Sequence, residues 1–176
     1  LLLFLGSGCS DFLDVQPKDK QSEEQLFATR GGFYTAVNGI YNKLASSSLY
    51  GKNLTYEMID ILAFRYTPLS VNKYYTALVK PDYTDETVEA NLSNIWSSAY
   101  STILNCNVLL KNLEVSTGVL NEQEKKVLTG EALALRAFLH LDMLRLFGPV
   151  YATNKADLSI PYNTVYSISA TSLLPA

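Results

Sequence analysis

Histidine and tryptophan occur once each in this chain of 176 residues, and cysteine only twice. A lone His140 offers no metal cluster, and a general base or zinc ligand there would want an acid or a second His one turn away. We read it as a partly exposed structural histidine. Basic charge is scarce as well: 14 Lys and Arg stand against 17 Asp and Glu, for a net charge of -3 and a pI near 5.1. The cations are scattered, so neither a nucleic-acid partner nor an anionic membrane surface is implied. Apolar runs are short. The five-residue LLLFL at the start is far below the ~20 residues a membrane span requires. A phosphate-binding loop is missing too, since Gly31-Gly32 follows Arg30 without the G-x-G-x-x-G or G-K-[ST] context. Ser46-Ser47-Ser48 has no histidine near it and reads as a helix-end linker. No catalytic constellation, metal site or cofactor site emerges, and the chain is not expected to be an enzyme.

What is present is an ordered composition, 48% apolar and 18% charged, in a chain long enough for one domain with a sizeable core. Its aromatics are biased in kind, with 12 Tyr and 7 Phe. Tyrosine joins a stackable ring to a hydroxyl, so a Tyr-rich surface suits sugars or peptides; half-buried helix positions are the plainer reading. At the N-terminal edge, small Gly6, Ser7 and Gly8 lead directly into Cys9. That is the pattern of a bacterial lipoprotein cleavage site, although Leu is more usual where Gly6 stands. The acidic, Pro-containing SDFLDVQPKDKQ that follows is tether-like rather than strand-like. Residues 1–8 are thus expected to be the end of a signal peptide, and 9–21 a lipidated Cys9 with its flexible leash. Residues 22–176 are expected to be a helical domain of a longer protein, since SISATSLLPA closes no element. Cys106 then remains as a small buried helix residue, with no disulfide available.

Helical signals begin at Ser22-Glu23-Glu24-Gln25, which has capping-box form and starts a short helix to about Thr29. Gly31-Gly32 is expected to interrupt, before Val37, Ile40, Tyr41 and Leu44 recur at helical spacing. Residues 49–86 read as a long loop with little regular structure, apart from a short helix within LTYEMIDILAF. Long loops inside compact domains are usually functional or disordered, and the aromatic content here favours function. Next, Leu92, Ile95, Trp96, Ala99, Ile103, Cys106, Leu110 and Leu113 fall on one stripe, with Asp85 or Thr87 as cap and Gly118 past the end. A further helix, capped by Asn121 with Glu124 at N3, runs to Phe147 and stops at Gly148-Pro149. It is apolar on two faces, one with Leu128, Ala132, Leu135, Phe138 and Leu139, the other with Gly130, Ala134, Ala137, Leu141 and Leu144. Such a helix belongs in the middle of a stack. Asp142 and Arg145 can pair along it, while Glu131 and Arg136, five apart, are expected to reach neighbouring helices in buried ion pairs. The fold class is all-α, with tetratricopeptide-like stacked helical hairpins and a long irregular loop. The repeat is degenerate, because Tyr100 occupies the small-residue position that follows its signature Trp96.

Three stretches, CSDFLDVQP, NIWSSAYSTILNCNVLL and GEALALRAFLHLDMLRLFGPVY, together resemble the N-terminal part of the SusD/RagB family of Bacteroidetes outer-membrane lipoproteins. The family's helix pattern is met by Trp96, Tyr100, Ile103 and Asn107. Its E-A-x-x-x-R-A-x-x-x-x-D-x-x-R-x-F/Y-G run is met by Glu131, Ala132, Arg136, Ala137, Asp142, Arg145, Phe147 and Gly148. GIYNKL and IPY are further landmarks. The resemblance implies a surface-exposed lipoprotein that binds nutrients, in particular oligosaccharides, and serves a partner TonB-dependent outer-membrane transporter of the SusC type. It also implies that Trp96, Tyr100, Asn107, Glu131, Arg136, Asp142 and Arg145 are structural. Ligand residues do not transfer by motif; Phe64, Arg65, Tyr66, Tyr74 and Tyr75 are candidates in the variable loop, as stacking rings beside a donor. The other reading is a lipid-anchored helical-repeat scaffold that binds only protein.

Overall fold

A computed structural model describes residues 21–66, 73–80, 82–150, 152–153, 156–167 and 173–175. The signal-peptide end, Cys9 and the leash up to Lys20 lie outside the described residues. Among the described residues six helices follow in order: α1 (Glu23–Phe27), α2 (Arg30–Leu44), α3 (Met58–Leu62), α4 (Lys73–Val79), α5 (Glu86–Val115) and α6 (Glu122–Phe147). Two short strands close the chain, β1 (Leu158–Pro161) and β2 (Leu173–Pro175). The described chain is overwhelmingly helical. No helix in it is long and apolar enough to cross a membrane.

Local chemistry explains where these helices start. Ser22 Oγ accepts the Gln25 N–H while the Gln25 side chain returns to the Ser22 N–H, a reciprocal capping box on α1. Asn121 and Glu124 repeat that box on α6. Asp85, rather than Thr87, caps α5 by accepting from the Thr87 and Val88 amides at 3.0 and 3.2 Å. Gly31-Gly32 does not interrupt a helix but lies in the first turn of α2, with Thr29 Oγ1 accepting the Gly32 N–H. A Cβ on Gly32 would overlap the Leu26 carbonyl, so glycine lets the end of α1 lie against that turn.

Helices α5 and α6 form an antiparallel hairpin, and α2 lies against α5 while its Arg30, Tyr34 and Tyr41 reach Glu124 and Glu131 of α6. The expected α5 stripe is the centre of the core: Ile95, Ala99, Ile103 and Cys106 are fully buried. They meet Leu128, Ala132, Leu139 and Met143 of α6 and Phe33, Val37, Ile40 and Leu44 of α2. Each large side chain in this set contributes roughly 1.5–3 kcal/mol through burial.

Four features differ from the sequence reading. The loop over 49–86 contains α4 as well as α3, and the two pack on each other through Met58, Ile61, Ala77 and Leu78. A small antiparallel β1–β2 pair was not expected; it registers Leu158 with Pro175 and Pro161 with Leu173. On α6 the second apolar face stays largely exposed, with Gly130, Ala134 and Ala137 exposed and Leu141 at 52%, while Phe138 of the first face is also 46% exposed. Finally, His140 is buried, not partly exposed, because Tyr162 stacks on its ring at 5.6 Å.

Candidate functional site

Of the residues expected to be structural, Trp96, Tyr100, Asn107 and Arg136 form one seam along the α5–α6 hairpin. Trp96 packs on Tyr100 at 4.6 Å and edge-on to Phe147 at 5.0 Å. The Tyr100 hydroxyl donates to the Pro161 carbonyl at 2.9 Å, and burial pushes that phenol up to about 12. Tyr100 thus fills its small-residue position by reaching β1, which explains why the repeat is degenerate there. Asn107 Nδ2 donates to the carbonyls of Asn163 and Val165 at 2.9 and 3.0 Å, and its Oδ1 accepts from Arg136 at 2.8 Å. Arg136 also donates to the Thr164 carbonyl.

The inter-helix ion pairs expected of α6 are not what forms. Arg136 meets an amide and a backbone carbonyl, Glu131 accepts from the Tyr41 hydroxyl at 2.5 Å, and Asp142 accepts from the Tyr50 hydroxyl at 2.8 Å. Neutral partners, hydroxyl donors for the two carboxylates and carbonyl acceptors for the guanidinium, satisfy these groups without pairing them across helices with a second desolvated charge. Only the short-range expectation holds as an ion pair, with Arg145 Nη1 3.3 Å from Asp142 Oδ1.

That pair lies in a groove of about 510 Å³ between α3, α4 and the end of α6, lined by Leu54, Ile59, Leu62, Phe64, Leu78, Tyr83, Asp142, Arg145 and Leu146. Apolar walls with a few convergent polar groups are the usual character of a ligand site. The Tyr50 hydroxyl holds one Asp142 oxygen and Arg145 the other, while the Arg145 side chain stays 74% exposed. Burial, and then the Asp142 carboxylate, push the Tyr50 phenol far above its ordinary range, so it is a fixed donor.

Phe64 stands at the rim in an unusual backbone state. Helix α3 ends at Ala63, after which the Phe64 N–H bonds the Ile61 carbonyl and the Arg65 N–H bonds the Asp60 carbonyl, both at 2.9 Å. This is the Schellman arrangement, whose left-handed residue is usually glycine. Here it is Phe64, at φ 56° and 68% exposed. A bulky residue held at positive φ while its ring faces solvent is a backbone outlier of the kind that clusters at ligand-binding sites.

The five loop candidates therefore separate. Phe64 lines the groove. Arg65 stands beside it, with its Nε 3.5 Å from Asp60 Oδ1, and Tyr66 is 55% exposed; neither lines the groove. Tyr74 and Tyr75 are half-buried on α4. The Tyr75 hydroxyl donates to Glu57 at 2.6 Å, and Lys52 lies 2.8 Å from the other Glu57 oxygen. Burial raises the Glu57 pKa, but these two donors outweigh it and hold the carboxyl below its usual range. Burial, with Glu57 next, pushes the Tyr74 phenol up to about 12. Tyr83 and the groove-facing role of Asp142 and Arg145 were not anticipated; a Tyr two residues before an Asp cap was the sole available signal for Tyr83. Among the described residues no group of three or more His, Cys, Asp or Glu could hold a metal.

Residues 11–171 match the model of the SusD-like family described as "Starch-binding associating with outer membrane". The chain is similar to SusD-like protein P2 of Formosa agariphila, 27% identical over 85% of this chain and 29% of the relative. It is also similar to SusD-like protein P25 of the same organism, 24% identical over 84% of this chain and 29% of the relative. A SusD-like protein of Bacteroides ovatus is 27% identical over 85% of this chain and 26% of the relative. The chain thus spans less than a third of the length of the curated relatives it matches. No solved structure matches it.

Proposed function

We propose, from the premise that this chain belongs to the SusD-like family, that it captures glycan at the Phe64 groove and delivers it to a TonB-dependent transporter. The observation that carries the reading is Phe64, an exposed ring held at a glycine position over a groove that contains the Asp142–Arg145 pair. The ring offers an apolar face to the C–H side of a pyranose. Arg145 donates to sugar hydroxyls and Asp142 accepts from them, with the carboxylate oriented by Tyr50. Tyr83 supplies a second exposed aromatic edge. Binding and positioning are all this arrangement is asked to do.

The test is affinity electrophoresis of the full-length protein, without its anchor, through gels containing soluble polysaccharides. At least one neutral or charged glycan should retard it. Tyr83→Ala and Arg145→Ala should then each weaken retention several-fold, whereas Tyr74→Phe, on the inner side of α4, should leave it unchanged. No retention on any polysaccharide, or retention indifferent to both groove variants, would sink the reading.

Lipidation of Cys9 places the protein at the outer membrane, on the cell surface beside its transporter. Cys9→Ala is expected to move the protein from the membrane to the soluble fraction, and a variant still sedimenting with membranes would contradict the anchor. The competing reading is a lipid-anchored scaffold that binds only protein, and it draws on the exposed apolar face of α6. It expects no glycan retention at all.

A further inference from the structure

We propose that His140 is the pin of an acid-released latch that holds residues 161–165 against the α5–α6 hairpin. Both ring nitrogens are engaged. Nδ1 lies 2.9 Å from the Arg136 carbonyl oxygen, which can only accept, so Nδ1 carries the proton. Nε2 is then an acceptor, and it takes the Asn163 backbone N–H at 3.1 Å. The ring is buried, stacked on Tyr162 and edge-on to Tyr100 at 6.3 Å.

The other bonds to this segment come from Tyr100 to the Pro161 carbonyl, Asn107 to Asn163 and Val165, and Arg136 to Thr164. None of those donors changes charge between pH 5 and 8, so His140 is the member of the latch that titrates there. A second proton on Nε2 would set N–H against N–H and leave the Asn163 amide without its acceptor. The same residue offers the protonated ring an alternative. Asn163 Oδ1 is buried and has no hydrogen-bond partner among the described residues. Reaching it requires the segment to shift, which gives the latch two hydrogen-bonded arrangements.

Among the described residues the groups that face the imidazole are Arg136 from its own helix, Tyr100 from α5 and Tyr162 from the segment after β1, with no carboxylate among them. Burial lowers the His140 pKa most, the Arg136 carbonyl opposes, and the Arg136 charge lowers it further; the net is below the ordinary 6.5. The unfolded chain therefore takes the proton more readily than the folded one. The latch's contribution is complete above about pH 6.5 and is lost as pH falls below it toward the folded-state value. The device is independent of what the Phe64 groove binds.

Amide hydrogen exchange on the intact protein tests it, with the Asn163 rate divided by that of a core α5 amide such as Ile103 to cancel intrinsic pH dependence. From pH 8 to 5, relative protection at Asn163 should fall about tenfold, roughly the worth of one net hydrogen bond. His140→Gln, whose amide can both donate and accept without titrating, should stay flat. A constant wild-type ratio, or the same fall in His140→Gln, overturns the proposal. So does a ring-nitrogen NMR titration of wild-type His140 whose midpoint differs from that of the Asn163 amide, a comparison that needs no variant to fold.

Discussion

Asn107→Leu is expected to lower stability by about 4 kcal/mol, read as a fall in urea midpoint at unchanged slope. Asn107 is 2% exposed in the C-terminal half of α5, and its one side chain serves three partners. Leucine is close to it in size and suits a helix, so neither a cavity nor a clash arises. What changes is that the carbonyls of Asn163 and Val165 lose their donor inside the protein, and one Arg136 N–H loses an acceptor. Each such orphan costs roughly 1–3 kcal/mol, charged groups more, and relaxation of the 163–165 segment removes part of the sum. Arg136 keeps the Thr164 carbonyl, which is why the loss stays below a simple addition of three such costs. Asn94→Ala, at an exposed position of the same helix, should stay within about 0.5 kcal/mol. Similar losses at both positions would remove the seam from the account.

The same residue marks the boundary of what could be read from the chain. That Asn107 belonged with Trp96 and Tyr100 on one line of α5 was carried by the family resemblance, whereas the helix starts near Ser22, Asp85 and Asn121 were legible from the chain, because caps and periodicity are local; the Thr29 cap of α2 was missed. What the line holds was not legible, since its partners lie in residues 161–165, over fifty positions away and without a periodic pattern of their own. The misreading of His140 has the same origin: the residues that bury it are Tyr162 and Asn163, not its helical neighbours. Helix α4 was hidden for a different reason. Its KYYTALV carries β-branched and aromatic residues with modest helix propensity, and it is helical because Ala77 and Leu78 are buried in the core beside α3. At the groove, the Asp142–Arg145 pair was readable as an i,i+3 contact. Tyr50, which orients Asp142 from 92 residues away, was not.

Phe64→Gly is expected to raise stability by about 1 kcal/mol while weakening glycan binding at least about tenfold, and the opposite signs are the point. In the folded state glycine adopts φ near 56° without cost, whereas a side chain there loses roughly 1–2 kcal/mol against the carbonyl that follows. Glycine returns part of that through a more flexible unfolded chain, which leaves a net gain near 1 kcal/mol. The ring itself contributes little to the fold, being 68% exposed. For binding the ring is the apolar platform, and about 1.4 kcal/mol of lost stacking is already tenfold in affinity. Thermal unfolding and calorimetric titration with a polysaccharide that retards the wild type measure the two effects on one preparation. Phe64→Tyr should keep both the strain and the binding, because it preserves the ring. Raised stability with unchanged affinity would mean that the strained residue serves no ligand; lowered stability would mean that the ring is there to pack. Only a gain in one measurement paired with a loss in the other fits a residue held at a glycine position for the sake of what it touches.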